Sequence, residues 1–160
     1  MIKKPRKGLF LASDMVKIVQ VDKNHILDLA PLFDAYRVFY KQKSDIKTAK
    51  KFLSQRIGNN ESVIFLAYFD NRPVGFTQLY TTFSSVTMQA VFILNDLYVG
   101  TNYRKKGIGE ALLERAKDFC KKKSYKGLAL ETATDNPARH LYERLGWEKD
   151  TYCFHYFWTS

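Results

Sequence analysis

The sequence predicts an α/β fold: a single domain with a mixed central sheet of six to seven strands and about four helices. Three observations carry that expectation. Short apolar runs rich in β-branched and aromatic residues follow one another through the middle of the chain, as in an antiparallel meander. Later runs alternate with stretches of helical periodicity, which implies a parallel crossover. A glycine-containing turn joins the longest of the apolar runs to the most amphipathic of the helical stretches. The chain has 160 residues, 46% of them hydrophobic, enough for one ordinary domain with a real core. With no internal repeat or low-complexity linker, residues 15–160 read as one domain and residues 1–14 as a basic leader, presumed flexible, before Met15.

Each element has its own signal. Val16 to Val21 reads as a first strand, and Leu27 to Lys41 as a helix with Leu29, Leu32, Phe33, Tyr36 and Tyr40 on one stripe. A second helix is expected over Asp45 to Ile57, broken by Gly58, Asn59 and Asn60. Ser62 to Phe69 is a continuous apolar run of the kind a strand buried on both faces shows, and Asp70 to Pro73 is a turn. Val74 to Phe83 and Met88 to Val99 complete the meander. From Ile108 the apolar or small residues recur at Ala111, Leu112, Ala116, Phe119 and Cys120, and the lysines at 121–123 suit the negative end of that helix. Lys126 to Thr132 is the next strand. Asn136 and Pro137 read as an N-cap and first-turn proline, with Ala138, Leu141, Tyr142 and Leu145 on one face and Gly146 as the stop. The tail, Tyr152 to Trp158, reads as a last strand apolar on both faces.

The formal net charge of +10 favours an anionic partner: a nucleic acid, a membrane surface or a small phosphorylated molecule. Cys120 and Cys153 are too few for a disulfide framework and lack metal-ligand spacing with His25, His140 and His155, so no metal is expected and a reducing cytoplasm is the simpler setting. No apolar run approaches the roughly 20 residues needed to span a bilayer, so no membrane partner is expected. The apolar piece Leu9 to Ala12 is shorter than the roughly 7 residues of a secretory core.

The stretch Val99 to Leu113, VGTNYRKKGIGEALL, presents backbone N–H groups without intrahelical partners at the mouth of a helix, where an anion binds. Gly107 and Gly109 let a ligand approach, at a cost of about 1 kcal/mol for each glycine inside a helix. A dinucleotide fingerprint needs a further glycine at 105, which is lysine, and a nucleotide-triphosphate loop needs Gly-Lys-Ser or Gly-Lys-Thr, which is missing. What remains is Arg-x-x-Gly-x-Gly, here Arg104, Gly107 and Gly109. With LNDLYV before the loop, ALL after it and LETATDNPARHLYERLGW at Leu130 to Trp147, the chain resembles the GNAT superfamily of N-acetyltransferases over roughly Phe65 to Trp147.

That resemblance implies acetyl-CoA as cosubstrate and a splay between the fourth and fifth strands. The pyrophosphate would lie on the loop of Arg104, Lys105, Lys106, Gly107, Ile108, Gly109 and Glu110. The backbone of Leu97, Tyr98 and Val99 would pair with the pantetheine arm, Asn136 would touch it from the other side, and Arg139 and Arg144 are candidates for the adenosine phosphates. Tyr142 matches the family tyrosine near the sulfur and is the candidate acid, although it also reads as a core aromatic. The base is open. Some relatives carry a glutamate where this chain has Asn95; Asp96 is adjacent, but strand alternation points it to the opposite face from Asn95. Glu131 is a third candidate, and water-mediated deprotonation needs none of them.

Transfer from a thioester requires a neutral amine, and the resemblance leaves the acceptor as a primary amine: a small molecule, an amino acid, a polyamine or a protein lysine. Tyr36, Arg37 and Tyr40 are candidate lining, at core spacing. The competing accounts are a catalytically idle CoA-binding sensor and a basic nucleic-acid-binding module. The latter predicts aromatics interleaved with lysines on an exposed face, whereas the aromatic-rich strands read as buried. The tail carries too much apolar surface for an exposed edge and suggests either burial in the monomer's own sheet or a homodimer.

Overall fold

A chain that must bury a sheet between helices on two faces writes its inner strands as continuous apolar runs, and β2 (Ser62–Phe69) is such a strand: Ile64, Phe65, Leu66 and Ala67 are all buried. The computed structural model describes residues 16–160, so the expected leader at 1–14 lies outside the described residues. Those residues fall into two compact units, one ending at Leu130 and one spanning Glu131–Ser160.

The first unit contains a sheet in the order β1-β2-β3-β4-β5, with β1 Val16–Gln20, β3 Arg72–Ser84, β4 Gln89–Val99 and β5 Leu128–Ala129. The pairs β1–β2, β2–β3 and β3–β4 are antiparallel, as the meander predicts, and β4–β5 is parallel. Asp70 and Asn71 both take positive φ, 51° and 57°, and Phe69 pairs with Arg72, so the hairpin turns on two residues in the conformation that matches strand twist.

Helices α1 (Ile26–Phe39) and α2 (Ile46–Gly58) cover one face. There Leu29, Ala30 and Phe33 of α1 and Ala49 and Leu53 of α2 pack on Ile64, Leu66 and Phe76. The bend between the two helices is fixed by Asp34, which accepts from Ser44 Oγ at 2.6 Å, the Asp45 amide at 2.8 Å and Arg37 Nη1 at 3.1 Å. Asp45 in turn caps α2 by accepting from the Thr48 amide at 3.0 Å. Helix α3 (Ile108–Lys122) covers the other face, burying Ile108, Leu112, Leu113, Ala116 and Cys120. Its Phe119 ring lies 5.4 Å from Phe65 and 5.7 Å from Phe92.

The sheet of the described residues has five strands rather than six to seven. Of the expected strand Lys126 to Thr132 only Leu128 and Ala129 pair, and the tail 151–160 forms no strand: Tyr152, Phe154, Tyr156, Phe157 and Trp158 are exposed. Alternation of large apolar residues is a packing signal, and it yields a strand only where a neighbouring edge accepts the backbone.

In the second unit, α4 (Ala138–Arg144) starts one residue after Pro137. The expected N-cap and first-turn proline are shifted by one residue: Pro137 is the N-cap rather than the first helical residue, while Asn136 Oδ1 accepts from the Ala138 amide at 3.0 Å, and Gly146 ends the turn at φ 81°.

Candidate active site

The candidate site begins at an irregularity in β4. Gln78 of β3 faces Asp96, but the next residue, Leu79, faces Leu94, so Asn95 has no partner across the ladder. One extra residue bends the strand locally. Burial still alternates along β4, with Phe92, Leu94 and Asp96 buried and Asn95 exposed, yet the two neighbours meet: Asn95 Nδ2 donates to Asp96 Oδ1 at 3.1 Å.

Around Asp96 the bulge assembles a polar group inside the core. The carboxylate is buried, and Gln78 Nε2 donates to its Oδ2 at 2.8 Å. The Tyr36 hydroxyl of α1 forms a further hydrogen bond with it. Gln78 Nε2 also reaches the Tyr80 hydroxyl at 2.5 Å, and Thr77 Oγ1 donates to the Asp96 carbonyl at 2.8 Å. Burial pushes the Asp96 carboxyl above the usual carboxylate range, while Tyr36, Asn95 and Gln78 oppose that shift by hydrogen bonding to the anion. Tyr80 is pushed up to about 12, chiefly by burial and then by the Asp96 charge, and stays protonated at neutral pH. Asp96 was legible as a candidate. Gln78 and Tyr80 were not, because an alternating strand pattern gives no warning of a bulge that brings their neighbours together.

Beyond the bulge, the outer edge of β4 is open. β5 pairs only with Phe92 and Ile93, so among the described residues no strand occupies that side of Leu94 to Val99. The expected splay is present as this early end of the parallel pair. On the inner side β3 and β4 are close: a Cβ on Gly75 would stand 2.7 Å from the Tyr98 carbonyl oxygen, so only glycine fits.

The strand leads into a 3-10 turn at Thr101–Tyr103 and then into α3. Gly107 is the N-cap of α3 at φ 78° and has no side chain with which to cap the helix. The first-turn amides of Ile108, Gly109 and Glu110 lie at a helix start with basic residues just before it. Glu110 is the acidic residue of that turn. The basic side chains are placed differently from one another. Arg104 folds back along the strand, its Nε donating to the Val99 carbonyl at 3.0 Å and its guanidinium lying 5.7 Å from the Phe39 ring and 6.0 Å from the Tyr98 ring. The Val99 carbonyl thus already accepts one hydrogen bond within the chain, from Arg104. Lys106 Nζ lies 5.3 Å from the Phe69 ring and 5.2 Å from Tyr103, and Lys105 takes a positive φ of 61°.

The early helix residues divide similarly. Tyr36 stacks edge-on with Tyr40 at 5.0 Å and Phe76 at 5.9 Å, so it is at once core and Asp96 partner. Arg37 is committed to Asp34 and to the Lys43 carbonyl. His25 belongs to a capping box with Asp22.

In the second unit, the half-buried Tyr142 packs its ring 6.0 Å from Trp147, whose amide donates to the Tyr142 carbonyl at 3.0 Å. Arg139 is exposed, with Nη1 3.5 Å from the Thr134 carbonyl, and His140 is exposed. Glu131 pairs with His155 at 3.0 Å on the surface.

A mixed sheet whose fourth strand is open on its outer edge, leading through a basic loop into a helix started by glycine, is an arrangement able to receive an extended anionic ligand. Comparison with known proteins makes the class definite. The model of the acetyltransferase (GNAT) family matches residues 29–147, and the chain belongs to that family. The chain is 46% identical over 142 residues to an uncharacterized N-acetyltransferase, YhfO, of Bacillus subtilis (strain 168), covering 88% of this chain and 95% of that one. Among solved structures, a probable acetyltransferase superposes with a TM-score of 0.85 at 37% identity, over 90% of this chain and 97% of that chain. A predicted acetyltransferase of Clostridium acetobutylicum, solved with acetyl-CoA, shares the fold at a TM-score of 0.72 and 14% identity, over 89% and 96% of the two chains.

Proposed function

We propose that residues 15–160 act as one catalytic domain that transfers the acetyl group of acetyl-CoA to a primary amine by direct attack in a ternary complex. The observation that carries this reading is the open edge of β4 beyond Ile93, continuous with the glycine-led start of α3. Acetyl-CoA supplies an activated acetyl thioester. The backbone of Leu97 and Tyr98 would hold its arm as an added strand holds a sheet edge, and the amides of Gly107 to Glu110 would hold its diphosphate, with Lys105 and Lys106 supplying charge. Asn136 and Arg139 are assigned to the same ligand, and Arg104 to shaping the strand end that receives it.

An alkylammonium has a pKa near 10.4 and cannot attack until it loses a proton. Asp96 is the proposed acceptor of that proton: a buried carboxyl whose affinity for protons is raised by burial and which carries no adjacent cation among its hydrogen-bond partners. Tyr142 is the proposed donor to the departing thiolate. The acceptor is a primary amine of a small molecule, amino acid, polyamine or protein lysine; the net charge of +10 slows encounter with polycations and favours acceptors of low positive charge. Self-association through residues 151–160 is part of the proposal, supported by the exposed aromatics there, and a light-scattering mass of one chain would remove it.

Two measurements test the reading. Isothermal titration should show one acetyl-CoA site per chain, and a free-thiol assay with an amine library should show release that depends on both substrates. Binding without release for any amine would leave a sensor; absence of binding would overturn the assignment altogether.

A further inference from the structure

The Gln78 side chain is completely buried, yet only one end of its amide is satisfied. Nε2 spends its hydrogens on Asp96 Oδ2 at 2.8 Å and Tyr80 Oη at 2.5 Å, while Oε1 is buried without a hydrogen-bond partner. An orphaned buried carbonyl costs about 1–3 kcal/mol and calls for a reason. Turning the amide over by half a turn places the oxygen where the nitrogen now is, between Asp96 and Tyr80. In that orientation it could accept from the Tyr80 hydroxyl and from a protonated Asp96, and the nitrogen would become the unpartnered end. Each orientation leaves one end of the amide unsatisfied, so the difference between them rests on whether Asp96 carries a proton: an ionised carboxylate demands the N–H, a carboxylic acid offers an O–H.

We propose that Gln78 is a positioning residue whose amide turns over as Asp96 takes up the proton of the incoming ammonium. The inference rests on the proposed role of Asp96 as proton acceptor. In the step, one N–H bond of the ammonium breaks, its electron pair remains on the nitrogen as the nucleophilic lone pair, and the proton bonds to Asp96 Oδ2. The Gln78 amide then exchanges its donor for its acceptor at that oxygen, holding the neutral acid in place, and reverses when the proton leaves. The other groups facing Asp96 are Asn95 on β4 and Tyr36 on α1, both donors to the anion; Tyr80 feels Arg56 of α2 and Glu61 as well as Asp96. Of these, only the amide of Gln78 can serve both states of Asp96 from one position while also meeting Tyr80.

The test uses the full chain without ligand, following the Asp96 carboxyl carbon and the Gln78 side-chain amide by NMR across a pH titration. The two are expected to move with the same midpoint. In Gln78→Met, which keeps length but neither donates nor accepts, the Asp96 midpoint should move by well under one pH unit, because the lost amide served both protonation states. The acid limb of kcat/KM for the amine should stay with it, and KM for acetyl-CoA should stay as in the wild type. A Gln78 amide that is indifferent to pH while Asp96 titrates, or an Asp96 midpoint raised by a full pH unit in a folded Gln78→Met, as loss of a fixed donor to the anion would give, overturns the proposal. Should Gln78→Met fail to fold, the wild-type titration decides alone. A wild type that acetylates no amine defeats the reading of Asp96 as a base, but the two titrations still report whether the amide follows the proton.

Discussion

Asp96 and Asp34 are both buried aspartates, and their proton affinities shift in opposite directions because burial dominates at Asp96 and hydrogen bonds dominate at Asp34. Asp34 is held below the usual carboxylate range, first by the Ser44 hydroxyl and then by the Asp45 amide, with Arg37 adding charge. Its contribution to stability is present above the unfolded value near 3.8 and is lost as pH falls below it. Asp34→Ala should cost about 2 kcal/mol in chemical denaturation at pH 7, by leaving the Ser44, Asp45 and Arg37 donors unsatisfied. Asp96 is raised, mainly by burial, so the folded state holds its proton more tightly than the unfolded chain. Stability therefore falls as pH rises from about 3.8 through the folded value. Asp96→Asn should abolish this slope in a pH series of unfolding midpoints. In turnover assays it should lower kcat by about 10²–10⁴ while leaving acetyl-CoA affinity unchanged.

At the scale of elements, the two glycines that matter act for different reasons. Gly75 is forced by the close approach of β3 to β4: Gly75→Ala would set a Cβ against the Tyr98 carbonyl at 2.7 Å, prising apart the strands that position Asp96, at about 1–3 kcal/mol of stability. A Cβ on Gly107 would meet nothing within 4 Å, so its requirement is conformational. Gly107→Ala pays about 1–2 kcal/mol for φ 78° and should weaken acetyl-CoA binding by tilting the first-turn amides, as titration calorimetry would show. The elements themselves were largely legible. β2, α2 and α3 lie within a residue or two of their expected limits, because long periodic segments encode their own burial. The bulge at Asn95 was hidden: it depends on which residue of β4 faces Gln78, and a single strand does not record its register. The glycine turn at the start of α3 was legible from Gly107 and the basic residues before it, whereas the retreat of Arg104 onto Val99, Phe39 and Tyr98 depends on a ring from a helix far away in sequence.

At the scale of the molecule, the net charge of +10 predicts that acetyl-CoA binding weakens steadily as ionic strength rises, as far as screened attraction contributes; an affinity independent of salt would leave the amides alone to account for the site. Among the described residues no helix is long and apolar enough to cross a membrane. The sheet reaches only to β5 because the tail, apolar as it is, forms no strand in the described residues. Composition could show that Tyr152 to Trp158 want cover, but not which surface supplies it. The central claim is that an acyl carrier lies along the open edge of β4 and ends on the start of α3. Amide hydrogen exchange with and without acetyl-CoA tests it most directly. The account predicts slowed exchange at Leu97, Tyr98 and Gly107 to Glu110 together; protection elsewhere, with those amides exchanging as in the free protein, would contradict it.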